Sequence, residues 1–389
     1  PCSKVIRLLE NGTLDTSFNA TACSSTVYNI ALQSDGKLLV GTITAGTYPD
    51  YRSGLARLLP NGTLDLTFDA APSITSYPQV MEVMEDDRIL VGGSFTGGIK
   101  RLLANGTPDP SFTPGTGTNG TVFDIHRLPS GEILLGGSFG TYNGVARKSI
   151  CRLDENGVID PSFGSATTGP GSSVYVIAMD PEGRLIVGGT FSSYNNDSNY
   201  SRLVRLDAGG TLDRSFFPQP GSAVNEIVTL DDGRILVAGD FTSISGITAQ
   251  RLALLRADGV PDPNYATTSG ASGSVQTILP LADGKLVIAG SFTSFAGTSK
   301  PNLAKVDAPP TGGTPAADTI DPPAQLAGGT ITLIGSNLTQ LTAIDFTDQL
   351  PAAFTVVSDT RATVIVPAGA SWGPLTLHGA SGSSLTNAY

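Results

Sequence analysis

Along most of the chain, apolar and polar positions alternate in short runs, and the runs are broken by Gly, Asp and Asn. A period of two bounded by turn residues is the pattern of β-strands. The stretch from Ser173 to Phe216 shows it in full. SVYVIAM alternates and is β-branched, so it predicts a first strand. Asp180-Pro181-Glu182-Gly183 reads as a turn, with glycine supplying the positive φ of a tight hairpin. RLIVGGTF, from Arg184, is too apolar to have a solvated face, so it predicts a second strand packed on both sides. The variable loop SSYNNDSNYS leads to a third strand, RLVRLD from Arg202. After another glycine turn, TLDRSF is short enough to be an edge strand or a corner.

This unit recurs with a period of roughly 50 residues, in the range of propellers and solenoids. Its hairpin appears as SDGKLLVG from Ser34, DDRILVGGSF from Asp86, SGEILLGGSF from Ser130, EGRLIVGGTF from Glu182, DGRILVAGDF from Asp232 and DGKLVIAGSF from Asp283. A second marker alternates with it: RLLENGTLDTSF from Arg7, RLLPNGTLDLTF from Arg57, RLLANGTPDPSF from Arg101, RLDENGVIDPSF from Arg152, RLDAGGTLDRSF from Arg205 and the degenerate LLRADGVPDPNY from Leu254. A four-stranded meander with two apolar faces buries both only by stacking on copies of itself, and closing the ring removes exposed ends. The glycine pairs Gly92-Gly93, Gly136-Gly137 and Gly188-Gly189 fit close approach of a neighbouring backbone, or else a bulge. Residues 1–307 therefore predict an all-β fold, a β-propeller. First and second strands occur six times, but third-strand copies occur seven times, counting VIRLL at Val5 and NLAKV at Asn302. If the N-terminal LDTSF completes the blade near residues 275–306, the ring has six blades, the favoured count. Seven is the alternative, and needs residues upstream of Pro1 or an incomplete blade.

After Asp307 the pattern stops. Residues 308–318, APPTGGTPAAD, have the composition of a linker. Short strands then resume over 319–389, at TITLIGSNL, AIDFTD, AAFTVVSD, ATVIVP and GPLTLHG, and predict a small β-sandwich. The single tryptophan, Trp372, precedes one of these strands and reads as core or rim.

Charged residues make up 15% of the chain and the formal charge is −11, without a Lys/Arg cluster. Phosphate backbones are held by clustered cations, so a nucleic-acid partner is not expected. No run reaches the apolar length of a membrane span. Pro1 is not an initiator methionine, so the chain reads as processed or truncated. Cys2 and Cys23 are placed to bridge, with lipidation of Cys2 as another reading. Cys151 takes the repeat position of Ile6, Ala56 and Val204 and reads as a small buried apolar residue.

Candidate chemistry is sparse. The two histidines, His126 and His378, lie in different predicted domains, and His126 falls at the first-strand position of Ala31, Ala178 and Val228, which makes it a packing residue. A nucleophilic triad needs an oriented histidine beside its nucleophile. Asp15, Asp65, Asp109, Asp160, Asp213 and Asp262 recur copy by copy, the signature of carboxylates accepting from turn amides and not of a catalytic pair. Asp86-Asp87 and Asp231-Asp232 fall on hairpin turns, where turn chemistry explains them, and leave structural calcium as the one cofactor still open. Tyr142, Tyr194 and Phe295 share a repeat position and read as plugs between blades. The unrepeated Tyr48, Tyr51 and Tyr200 are the candidate ligand-binding residues, because exposed aromatic faces stack on sugars and partners.

Together the two motifs, D-G-K/R-I/L-L-V-G-G-S-F and R-L-x-x-N/D-G-x-x-D-x-S-F, resemble the delta-sixty repeat, a propeller repeat of large bacterial secreted and surface proteins. That resemblance implies a bacterial extracellular propeller and transfers no catalytic residue. The C-terminal stretch resembles an IPT/TIG domain, an immunoglobulin-like fold, through G-x-x-I-T-L-I-G-S-N-L, F-T-V-V-S-D-T and V-P-x-G, which implies a spacer or arm. The expected role is a non-catalytic extracellular surface protein, a binding or scaffold module for protein contacts in a larger surface assembly or adhesin. A surface glycan-binding protein is the first alternative and a carbohydrate-active enzyme the second.

Overall fold

The computed structural model describes residues 4–46, 52–70, 73–74, 76–164, 168–262, 270–281, 284–307, 315–323, 325–358, 360–371, 373–379 and 382–386. Regular structure among them is strand, apart from one 3-10 turn at Leu338–Gln340. No helix among them is long and apolar enough to cross a membrane. The chain divides into two compact units, Pro1–Ile177 with Val187–Leu212, and Ala178–Ile186 with Asp213–Tyr389.

In the first unit, blade 1 is a meander of Val27–Leu32, Leu38–Ala45 and Arg52–Leu58. Blade 2 joins Pro78–Val83, Ile89–Gly93 and Ile99–Leu102, and blade 3 joins Thr121–Arg127, Ile133–Ser138 and Ile150–Leu153, all antiparallel. Blade 4, of Val174–Met179, Leu185–Gly189 and Leu203–Leu206, has residues in both units. The second unit holds blade 5, of Val224–Thr229, Ile235–Gly239 and Leu252–Leu255, and blade 6, of Ser274–Pro280, Lys285–Ser291 and Leu303–Asp307. Each blade is an open ladder with its second strand in the middle.

That central strand is the most apolar and the most buried, with every residue of Ile89–Gly93 and Ile235–Gly239 covered. Both its faces are packed because neighbouring blades supply the second cover. Leu90 and Ile99 of blade 2 share a core with Val122, Ile125 and Leu135 of blade 3. Leu236, Ala238 and Leu252 do the same with Val275, Ile278 and Ile288 of blade 6. At about 1.5–3 kcal/mol for each fully buried aliphatic side chain, these interblade cores hold the array together. The glycine pairs serve close approach: a Cβ on Gly136 would stand 2.7 Å from Val174 Cγ1, and one on Gly137 would stand 2.1 Å from the Thr121 carbonyl oxygen. Bulges do occur, at Ile43 in the second strand of blade 1 and repeatedly in the first strands. There the register slips at Tyr28, Gln79, Phe123, Asn225 and Gln276.

The fourth strand is smaller than the sequence predicts. It shrinks to single bridges, Leu58 to Leu64, Leu102 to Pro108 and Leu153 to Ile159. Pairing stops because the following aspartate turns the chain; Asp65 N donates to Arg57 O at 2.9 Å and Phe68 N donates back to Asp65 O at 3.4 Å. Leu14, in the N-terminal LDTSF, bridges Leu8 of its own third-strand copy. Tyr142, Tyr194 and Phe295 are buried, and Tyr142 Oη donates to the Gly157 carbonyl at 2.6 Å.

Cys23 and Cys151 are free, buried thiols, so Cys23 makes no bridge; Cys2 lies outside the described residues. Strand Ala316–Asp321 begins inside the segment that composition marks as linker. It opens a four-stranded sheet with Thr330–Ser336, Arg361–Ile365 and Phe354–Ser358, and a second sheet joins Leu341–Asp345, Thr376–Gly379 and Gly382–Leu385. One core takes Ile331, Leu333 and Val364 from the first sheet and Ile344 and Leu377 from the second. Trp372 lies outside the described residues.

Candidate binding surface

The recurring aspartates are bound into a structural clasp. Asp109 Oδ1 accepts from the Ser111 amide at 2.9 Å and its hydroxyl at 2.7 Å, while Oδ2 accepts from Arg101 Nε at 2.7 Å. The same guanidinium lies 4.9 Å above the Phe112 ring and donates to the Glu155 carbonyl in the next copy. Arg57, Asp65, Thr67 and Phe68 repeat the arrangement, with Arg57 reaching the Ala104 carbonyl at 2.6 Å. Arg152, Asp160, Ser162 and Phe163 repeat it again, and so do Arg7, Asp15, Ser17 and Phe18. Burial alone would raise the Asp109 carboxyl, but the bonds from Ser111 and Arg101 outweigh it and hold the group well below the carboxylate range. Asp15, bonded by Ser17 and Arg7, falls to about 2. A carboxylate saturated in this way is a poor proton donor or nucleophile.

Of the three candidate tyrosines, Tyr48 and Tyr51 lie outside the described residues. Tyr200 is half-buried on the turn after the second strand of blade 4, its amide donating to the Asp197 carbonyl at 3.3 Å.

A different aromatic row emerges from the bulges of the first strands. Tyr28, at the blade 1 bulge, stacks on Tyr77 with centroids 4.6 Å apart and planes 17° from parallel. Both remain exposed, at 39% and 36%. Phe123, at the blade 3 bulge, meets Tyr175 edge-on at 5.3 Å. A bulge leaves its residue outside the ladder and re-aims the side chain, which is why strand alternation does not reveal this row. The available signal was the shared offset of Tyr28, Phe123 and Tyr175 from their hairpins, diluted by Gln79, Asn225 and Gln276 in the other copies.

The repeat breaks at Arg127, where the other copies place Leu32, Val83, Met179, Thr229 and Pro280. A cavity of about 230 Å³ opens there, lined among others by Glu85, Asp86, Arg88, Arg101, Arg127 and Glu155. Its charges pair internally: Arg127 lies 3.0 Å from Glu85, and Arg88 lies 2.6 Å from Asp86 and 3.3 Å from Asp109. His126, beside it, is pushed below the usual imidazole range by burial. His378 contacts Asp345 at 3.0 Å and Ser383 at 2.9 Å within one sheet of the C-terminal module. Among the described residues no group of three or more His, Cys, Asp or Glu is arranged to hold a metal. Asp87 accepts from the Ser34 amide at 2.9 Å and Asp86 from Arg88, so the acidic turn serves the hairpins.

Similarity to known proteins agrees with this architecture. No curated protein matches the chain. Among solved structures, PorZ of Porphyromonas gingivalis, a surface component of the type-IX secretion system, is 15% identical, with a TM-score of 0.52 over 95% of this chain and 52% of its own. The extracellular domain of a hybrid two-component system from B. thetaiotaomicron is 12% identical, with a TM-score of 0.48 over 97% of this chain. The chain spans about half the length of both, 52% and 48%. The family described as "Domain of unknown function (DUF5122) beta-propeller" matches residues 1–18, 33–68, 85–112, 128–163, 181–216, 230–265 and 281–308. These segments hold the hairpins and clasps described above and make up more than half of the sequence, so the chain belongs to the DUF5122 β-propeller family.

Proposed function

We propose that the chain is a non-catalytic binding module of the bacterial cell surface, using its propeller to contact a protein partner within a larger extracellular assembly. The observation that carries this reading is the exposed Tyr28–Tyr77 pair, together with the Phe123–Tyr175 pair on blades 3 and 4, in a chain whose recurring acids are consumed in clasps. Exposed tyrosines supply large, rigid contact area with a polar tip, which is the chemistry of a protein interface. The two rings stack on each other, so each spends a face that a sugar ring would need; this favours protein over glycan. The C-terminal module, with its likeness to IPT/TIG domains, serves as spacer or arm in this reading, and the delta-sixty likeness of the repeats supports a location outside the cell. Crosslinking and pull-down from the native surface, alongside a glycan array, test the proposal. A defined protein retrieved by the parent chain and lost with Tyr28→Ala or Tyr77→Ala is the expected result. Saturable binding of one polysaccharide that the same substitutions abolish would establish the glycan reading, and specific turnover of a glycoside would establish an enzyme.

A further inference from the structure

Blades 1 and 2 are joined beside their hairpin turns, and a buried glutamine closes the gap between them. Gln33 is 4% exposed. Its Oε1 accepts from Arg57 Nη1 at 3.2 Å, and its Nε2 donates to the carbonyls of Asp87 at 3.5 Å and Ala104 at 3.4 Å. Arg57 Nη1 also donates to the Ala104 carbonyl at 2.6 Å, so both of its hydrogens are used. A carboxamide, with an acceptor oxygen and two N–H donors, thus fills a cradle made of one guanidinium N–H and two backbone carbonyls.

The joint between blades 2 and 3 keeps the cradle and loses the filler. Hairpin register puts Met84 where Gln33 stands and Gly131 where Asp87 stands. Arg101 and Glu155 take the places of Arg57 and Ala104, and Arg101 Nη1 donates to the Glu155 carbonyl. Met84 carries no amide and packs against the apolar core of Leu90, Val122 and Ile125. Among the described residues Arg101 Nη1 makes no second bond, so the N–H that Arg57 gives to Gln33 has no acceptor here. Met84, Arg101, Gly131 and Glu155 all line the cavity of about 230 Å³ that opens in this joint. Its guanidinium groups, on Arg88, Arg101 and Arg127, are each already paired with a carboxylate, which leaves an anion no unpaired cation to meet. The spare group is an N–H donor, which a cation cannot satisfy.

We propose that this cavity binds a primary carboxamide, the chemistry that Gln33 supplies one joint earlier. The amide oxygen accepts from Arg101 Nη1, and the amide nitrogen donates to the carbonyls of Gly131 and Glu155. The volume is that of several waters at about 30 Å³ each, room for the amide and its alkyl stem. The amide belongs to a glutamine or asparagine side chain of a polypeptide or to a free small molecule, and the recognition is the same for both.

Saturation-transfer NMR titration of the full chain with L-glutamine, L-glutamate and the tripeptides Gly-Gln-Gly and Gly-Glu-Gly tests this. Saturable binding of a glutamine probe is expected, in about the millimolar range or tighter. Its glutamate counterpart should bind about tenfold or more weakly, because a carboxylate cannot donate to the two carbonyls. Tighter binding of the tripeptide assigns the amide to a polypeptide, and tighter binding of free glutamine assigns it to a small molecule. Met84→Gln, which installs the filler of the earlier joint, should abolish binding without lowering the melting temperature. The glutamate comparison needs only the parent chain and so stands whether or not that variant folds. Saturable binding by neither glutamine probe, equal binding of glutamate, or glutamine binding unchanged in a folded Met84→Gln chain would each overturn the proposal.

Discussion

Arg101 Nε stands 2.7 Å from Asp109 Oδ2, with 2% and 4% of the two side chains exposed, and the same guanidinium reaches the Glu155 carbonyl in the next blade. One clasp therefore ties a repeat to its own turn and to its neighbour. Breaking a buried pair by removing one partner costs about 3–5 kcal/mol, because the other charge is left buried and unmatched. Arg101→Leu should lower unfolding stability in urea by up to about that amount, since Arg88 still lies 3.3 Å from Asp109 and offsets part of its charge, and Arg101→Leu with Asp109→Leu should cost less than the single change. Equal or larger loss in the double variant would show that packing, and not the stranded charge, sets the cost.

Acid should loosen the first unit through these same carboxyls. Asp15, Asp65, Asp109 and Asp160 are all held below the ordinary carboxylate value, Asp15 at about 2, by hydrogen bonds that their burial does not cancel. A group with a depressed folded pKa binds fewer protons folded than unfolded, so its contribution is full above the unfolded value of about 4 and is lost as pH falls through the folded values. Melting temperature measured down from neutral pH should fall steepest below about pH 4, and Asp109→Asn should flatten that fall.

Glu226 has the opposite sign. Burial raises its carboxyl, against hydrogen bonds that include Thr277 Oγ1 at 3.0 Å. The ionised form at pH 7 therefore opposes folding, and Glu226→Gln, which keeps an acceptor oxygen, should raise the melting temperature at pH 7. The gain should be full above the raised folded value and shrink as pH falls through it toward the unfolded value of about 4.3, below which the carboxyl is neutral in both states. A gain independent of pH would point to shape and not charge.

Close approach can be separated from backbone freedom at two glycines of one segment. Gly136→Leu drives a side chain into Val174 and should cost about 1–3 kcal/mol or more by overpacking. Gly140→Ala meets nothing nearer than 3.8 Å and has an ordinary φ, so its effect should be small and of either sign. Chemical denaturation of both variants checks the contrast.

The sequence by itself determined the period, the strands and the burial of their centres, because alternation and glycine turns act within a few residues. It also identified the structural role of Asp65 and Asp109, through recurrence, and the burial of Tyr142 and Phe295. It did not show that Arg57 and Arg101 reach the next copy's turn, since the partner lies some 50 residues away and is a carbonyl, which has no sequence signature. The bulges that free Tyr28 and Phe123 were equally invisible, because a register slip changes which atoms pair without changing the apolar pattern. The last strand of each repeat had the composition of an edge, and tertiary structure reduced it to a bridge by spending its aspartate on the clasp. Ile30 and Ile125 are the same residue in the same repeat position, and one is exposed while the other is covered. Strand periodicity decides which face a side chain takes; only the packing of whole blades decides what, if anything, lies against it.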